Sequence, residues 1–92
     1  MGINIVTKTA SDTVVTMENN TYYVFPTMTS LTVTPPTASN GKLSICGFEF
    51  TSGTTATTLT LKNCTLTNSD DVVANKTYEV NILNGSAIVR ER

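Results

Sequence analysis

The sequence predicts an all-β fold: one small antiparallel β-sandwich or flattened barrel of about eight short strands, closed by a C-terminal hairpin turning at Asn84-Gly85. Three observations carry this. Of 92 residues, 19 are Thr, 9 Val, 9 Asn and 7 Ser. Branching at Cβ suits Thr and Val to a pleated, half-buried surface, while Asn and Ser favour turns. No segment shows a 3.6-residue apolar period. Instead, short runs alternate with period two and are broken by turn chemistry, as an all-β chain requires.

Residues 3–9 form the first expected strand and 12–17 the second. Asn19-Asn20 turns the chain into a strand over 21–25, which Pro26 should stop because proline donates no ladder hydrogen bond. Over Ser30–Thr34, Leu31 and Val33 share one face and Thr32 and Thr34 the other. Pro35-Pro36 ends that strand, and Asn40-Gly41 is a turn signal. In residues 42–51, Leu43 and Ile45 have one parity and Phe48 and Phe50 the opposite one. A bulge at Cys46-Gly47 would bring all four to one side, and is expected there. Residues 57–62 alternate cleanly, with Leu59 and Leu61 inward. Residues 64–67 make a weaker strand, followed by a loop of turn formers, Asn68-Ser69-Asp70-Asp71.

The hairpin is specified most fully. Thr77–Leu83 and residues 86–90 flank Asn84-Gly85, both of which tolerate positive φ. A two-residue loop sets Ile82 opposite Ala87, Val80 opposite Val89, and Glu79 opposite Arg90. Tyr78, Val80, Ile82, Ala87 and Val89 then share an apolar face, with Glu79 and Arg90 paired on the other.

Length allows a single domain over residues 1–92, without linker or repeat. A 39% apolar fraction in so short a chain offsets the entropy of ordering only narrowly, which makes help from neighbouring copies an expectation. The N-terminal residues lack a basic n-region, and no run approaches the length of a membrane span, so neither export nor membrane insertion is expected. Gly2 does not signal myristoylation, since Val6 stands where Ser or Thr is needed. Synthesis and folding in a cytoplasm are expected, with Cys46 and Cys64 as reduced, largely buried thiols in preference to a disulfide. Asn-x-Ser/Thr sequons at Asn19, Asn63, Asn75 and Asn84 are what a Thr-rich chain yields by accident.

The chain has no histidine, hence no common general base for its many hydroxyls and no common metal ligand. Net charge −1 gives no footprint for nucleic acid. Asp70 and Asp71 are adjacent in a loop, a poor start for paired-carboxylate chemistry, and read as a solvated turn. Asn68 to Asp71 offer oxygens but lack the spacing of an EF-hand loop, and two cysteines fall short of a zinc site. The Thr ranks are too short for an ice-binding array. Catalytic residues, cofactor and metal are therefore all expected to be absent. Tyr22 could stack on a sugar, but most of the six rings are needed to fill the core, which is the favoured reading.

One pattern exceeds the needs of an isolated sandwich. Tyr22-Tyr23-Val24-Phe25 and Val14-Val15 are apolar on both faces, and Ile88 lies on the outward face of the hairpin. Val14, Tyr22, Val24 and Ile88 are the candidate subunit interface.

Several stretches, in order, are also familiar: Asn20-Thr21-Tyr22-Tyr23-Val24-Phe25, Ser30-Leu31-Thr32-Val33-Thr34, Gly47-Phe48-Glu49-Phe50-Thr51-Ser52-Gly53, Thr57-Thr58-Leu59-Thr60-Leu61, and Ala74-Asn75-Lys76-Thr77-Tyr78 leading into the hairpin. Together they resemble a small β-domain of tailed-bacteriophage virion structural proteins, found in head-fibre, capsid decoration and tail-associated proteins. The chain departs from that pattern between Leu61 and Ala74, where relatives commonly carry a proline and a tryptophan. The resemblance implies a non-enzymatic virion component, made in the cytoplasm of a bacterial host. It implies binding to capsid or tail proteins and to the host surface. Copies of itself are the further expected partner, as a homo-oligomer, from the doubly apolar strands; no nucleic acid partner is expected from the net charge, and no membrane partner from the lack of a long apolar run. A carbohydrate-binding or host-adhesion module of a phage tail or fibre, touching a host surface glycan, is the alternative. A small hydrolase using Asp70 or Asp71 is the third reading.

Overall fold

The Thr-, Val- and Ile-rich runs form strands, and the turn formers separate them. The computed structural model describes residues 4–36 and 44–92, which contain nine strands and no helix. These are β1 (Asn4–Thr7), β2 (Val14–Thr16), β3 (Thr21–Met28), β4 (Ser30–Thr34), β5 (Ile45–Ser52), β6 (Thr58–Leu61), β7 (Thr65–Leu66), β8 (Thr77–Leu83) and β9 (Ser86–Glu91). Ile3, Leu43 and the Asn40-Gly41 turn lie outside the described residues.

A six-stranded sheet, in the order β1-β3-β5-β8-β9-β7, faces a three-stranded sheet, β2-β4-β6. The chain crosses from the larger sheet to the smaller and back, so that β1, β3 and β5 stack in parallel, as do β2, β4 and β6. The first two-thirds of the chain is thus a short coil of three rungs, each rung giving one strand to each sheet. The antiparallel hairpin β8–β9 then extends the larger sheet from β5, and β7 pairs parallel to β9. This corrects the expected antiparallel arrangement: among the described residues only β5–β8 and β8–β9 pair that way. Period-two alternation reports which side of a strand is buried and is silent on the direction of its neighbour.

Two further expectations are overturned. No bulge falls at Cys46-Gly47; β5 pairs with β8 without interruption from Ile45↔Leu83 to Thr51↔Thr77. Cys46, 2% exposed, fills the inward place, and Ile45, 43% exposed, points out. Nor does Pro26 end β3. The strand runs on to Met28, and its register with β5 shifts between Val24 and Thr27. That irregularity takes up the residue without an N–H, and it turns both Phe25 and Met28 inward although their parities differ.

The core lies between the sheets. Val6, Tyr23, Phe48, Val80 and Val89 form one inward row across the larger sheet. They meet Val15, Leu31 and Val33 of the smaller one. Phe48 stacks on Phe50 (centroids 6.0 Å), Phe50 on Tyr78 (5.6 Å), and Phe25 meets Phe48 edge-on (5.9 Å). The buried tyrosine hydroxyls are satisfied: Tyr23 Oη accepts from the Glu18 N–H at 2.7 Å, and Tyr78 Oη from the Val73 N–H at 2.8 Å. At the corner between β5 and β6, Thr57 Oγ1 donates to the Met28 carbonyl (2.7 Å), and the Thr57 N–H donates to Ser52 Oγ (3.2 Å). Sharp backbone corners fall on asparagine: Asn20, Asn63, Asn68, Asn75 and Asn84 all have positive φ.

Candidate interaction surface

The pleat that buries Tyr23, Phe48 and Val80 turns their neighbours to the outer face of the larger sheet. The pairing then sets Ile5 beside Tyr22, Tyr22 beside Gly47, Gly47 beside Asn81, and Asn81 beside Ile88. Two residues along the strands, Ile45 lies opposite Leu83; Ile45 is diagonal to Tyr22, and Leu83 is diagonal to Ile88. Ile5 (69%), Ile45 (43%), Leu83 (49%) and Ile88 (37%) are all exposed, so an aliphatic band crosses the face.

Tyr22 is tied down on this face. A Cβ at Gly47 would lie 3.1 Å from Tyr22 Cδ1, which places the ring over the glycine. Glycine here leaves room for that ring and for the Val80 carbonyl oxygen, 3.0 Å from the same point. The Tyr22 hydroxyl donates to Glu49 Oε1 at 3.0 Å. Burial, and then that bond to the carboxylate, hold the phenol protonated well above its ordinary range.

Beside the aliphatic band is a charged patch. Glu49 and Glu79 face each other across β5 and β8, an unfavourable pair by itself. Arg92 lies against both, 3.1 Å from Glu49 Oε2 and 3.9 Å from Glu79 Oε2. Glu79 does stand opposite Arg90 in the ladder, as the hairpin register requires. Their charges, however, go elsewhere: Arg90 approaches Asp70 Oδ1 (3.9 Å) and donates to the Asn68 carbonyl.

Of the four residues singled out from sequence, Tyr22, Val24 and Ile88 share this outer face, and Val14 does not. Val14, 73% exposed, belongs to β2 at the edge of the smaller sheet. Ile5, Ile45 and Leu83 were missed. For Leu83 the signal was present, since the hairpin register gives it the outward parity of Glu79 and Asn81. For Ile45 it was hidden by the supposed bulge.

Asp70 sews its loop to β9: its N–H donates to the Val89 carbonyl (2.8 Å), and its Oδ2 accepts from the Glu91 N–H (2.9 Å). Asp71 is exposed. Cys46 and Cys64 are free thiols; burial, helped by nearby Cys64, raises Cys46 to about 11, and burial raises Cys64 too. Both are therefore weak nucleophiles at neutral pH. Among the described residues no three His, Cys, Asp or Glu side chains group as metal ligands. A cleft of about 140 Å³ between Thr27–Thr29 and Gly53–Thr55 is small beside the several hundred cubic ångström of a typical ligand pocket. Compared with known proteins, the chain matches no family model, no curated protein and no solved structure.

Proposed function

We propose that this chain is a non-enzymatic structural protein of a tailed-bacteriophage particle. In this reading it is a capsid decoration or head-fibre subunit that binds other virion proteins and copies of itself. The supporting observation is the apolar band Ile5–Tyr22–Ile45–Leu83–Ile88, set beside a charged patch on the outer face of the larger sheet. Apolar area of this kind on a small domain is the usual mark of a protein-binding surface. The sequence resemblance supplies the particle. The test is immunogold electron microscopy of purified virions, with antibody raised against this chain. Label on the particle is expected, and loss of that label in a Leu83→Lys, Ile88→Lys variant would assign it to this face. Unlabelled particles, with the chain left in the lysate, would overturn the reading.

The alternative, a carbohydrate-binding or host-adhesion module, has the half-buried Tyr22 ring on the same face in its favour. A glycan array separates the two. Saturable binding that is lost in Tyr22→Ala would favour adhesion.

A further inference from the structure

We infer that two copies of this chain join end to end, with β1 and β2 of one copy each pairing antiparallel with the same strand of the other. This deepens the self-associating part of the reading above and rests on it. The two sheets begin on the same rung: β1 and β2 are the first strands of their stacks, and among the described residues each is bonded on one side only. Asn4 and Lys8 donate their N–H groups toward β3, to the Asn20 and Val24 carbonyls. By alternation, the N–H and C=O of Ile5 and Thr7 point away from the sheet. In β2, the Thr13 carbonyl accepts from Thr32 and the Met17 N–H donates to Thr34, so Val14 and Thr16 point away in the same manner. Both edges therefore carry the same motif, an inward valine (Val6 or Val15) between two residues with outward backbone groups.

Four features point to strand addition there. Within their bounds β1 and β2 hold no proline, charge or bulge, the usual guards of a monomeric edge strand; the nearest charges, Lys8 and Asp12, lie just beyond them. Ile5 and Val14 are the most exposed large aliphatics among the described residues, at 69% and 73%, and each stands on one of these strands. Val6 packs against the core yet is only half-buried, so the interior is unfinished at this end. Finally, both sheets begin at this end with a strand of the first rung, so by strand order their edges finish together. An occupant has to supply two strands at matching height, which a single extended peptide cannot do.

The opposite end of the molecule cannot serve either. There the larger sheet continues through β8, β9 and β7 while the smaller stops at β6. At about 4.8 Å per strand, that step leaves the two edges well over 10 Å apart in height. A level end fits a level end, and a two-fold axis normal to the sheets extends both at once. Ile5 then exchanges backbone bonds with Thr7 of the other copy, and Val14 with Thr16. Val6 and Val15 each meet their own counterpart inside.

The test is molar mass by light scattering across a concentration series, joined to residue-resolved amide exchange on the full chain. A species of twice 9.9 kDa is expected as concentration rises, with the Ile5, Thr7, Val14 and Thr16 amides becoming protected together. Thr7→Pro and Thr16→Pro should each weaken dimerisation by at least about tenfold, because each removes an outward donor. If either proline variant fails to fold, Ile5→Lys and Val14→Lys, at exposed positions, should do the same. A dimer whose four amides exchange freely, or one broken by Leu83→Lys and untouched by these variants, would overturn the inference while leaving self-association standing. Protection at β1 without β2 would overturn it in favour of a single added strand. A monomer at every concentration would overturn both this inference and the self-associating reading.

Discussion

The coil and the hairpin bury similar side chains by opposite means. In the hairpin, Asn84 and Gly85, with φ of 48° and 79°, turn the chain within two residues, and every pairing from Leu83↔Ser86 to Tyr78↔Glu91 follows from that turn. In the coil, Asn4 meets Thr21 and Thr21 meets Cys46, across connections that pass through the other sheet. No local turn can set such a register. Corners hold it instead: the Ser52–Thr57–Met28 hydrogen bonds at one side, and at the other Asn19 Oδ1, which accepts from the Ile45 N–H at 2.6 Å. The difference teaches that a register set by a turn is local and separable, whereas a register set by a coil depends on the whole stack.

Phe48 is where the two regions join, because it is paired with Tyr23 on one side and Val80 on the other. Phe48→Ala should cost about 3–5 kcal/mol in urea denaturation, in one transition that strips amide protection from coil and hairpin alike. Two separate transitions would show that the coil and the hairpin are independent units. Gly47→Ala is next. Its new methyl would press on the Val80 carbonyl and the Tyr22 ring, and a loss of about 1–3 kcal/mol is expected from thermal melting. Repeating it in a Tyr22→Ala background should remove the part due to the ring.

Gly85→Val tests the hairpin alone. A β-branched residue at φ +79° is strained, so stability should fall by about 1–2 kcal/mol, with faster amide exchange in β8–β9 and little change in β1 and β2. An unchanged melting temperature would show that the turn does not set the register. The smallest effect is expected from Arg92→Ala, which leaves Glu49 and Glu79 facing each other. Arg92 is exposed and the two glutamates are half-buried, so stability should fall by less than about 1 kcal/mol, and the loss should shrink in high salt. A loss that does not depend on salt would mean that Arg92 acts through packing.

Alternation alone was enough to identify Ser30–Thr34 to the residue, and turn chemistry alone was enough for the pairings of Thr77–Leu83 with its partner. The register irregularity that brings residues of opposite parity to one side lies in β3 and not in β5. Phe25 and Met28 are the pair of opposite parity that a bulge brings together, and Pro26 marked the place. On the surface, Tyr22, Val24 and Ile88 were legible as apolar residues on outward positions, but their companion Ile45 was not. Whether it faces in or out depends on the β5–β8 register.

By itself the sequence determined the class of fold, the positions of most strands, the inward face of the hairpin and the absence of histidine chemistry. These follow from side-chain shape, period and turn geometry, which act over a few residues. Only the folded structure shows that the sheets are mostly parallel, that Tyr22 lies over Gly47, and that β1 and β2 are the first strands of the two sheets. Each of these depends on partners far apart in the chain, and a period of two is the same whichever way the neighbouring strand runs.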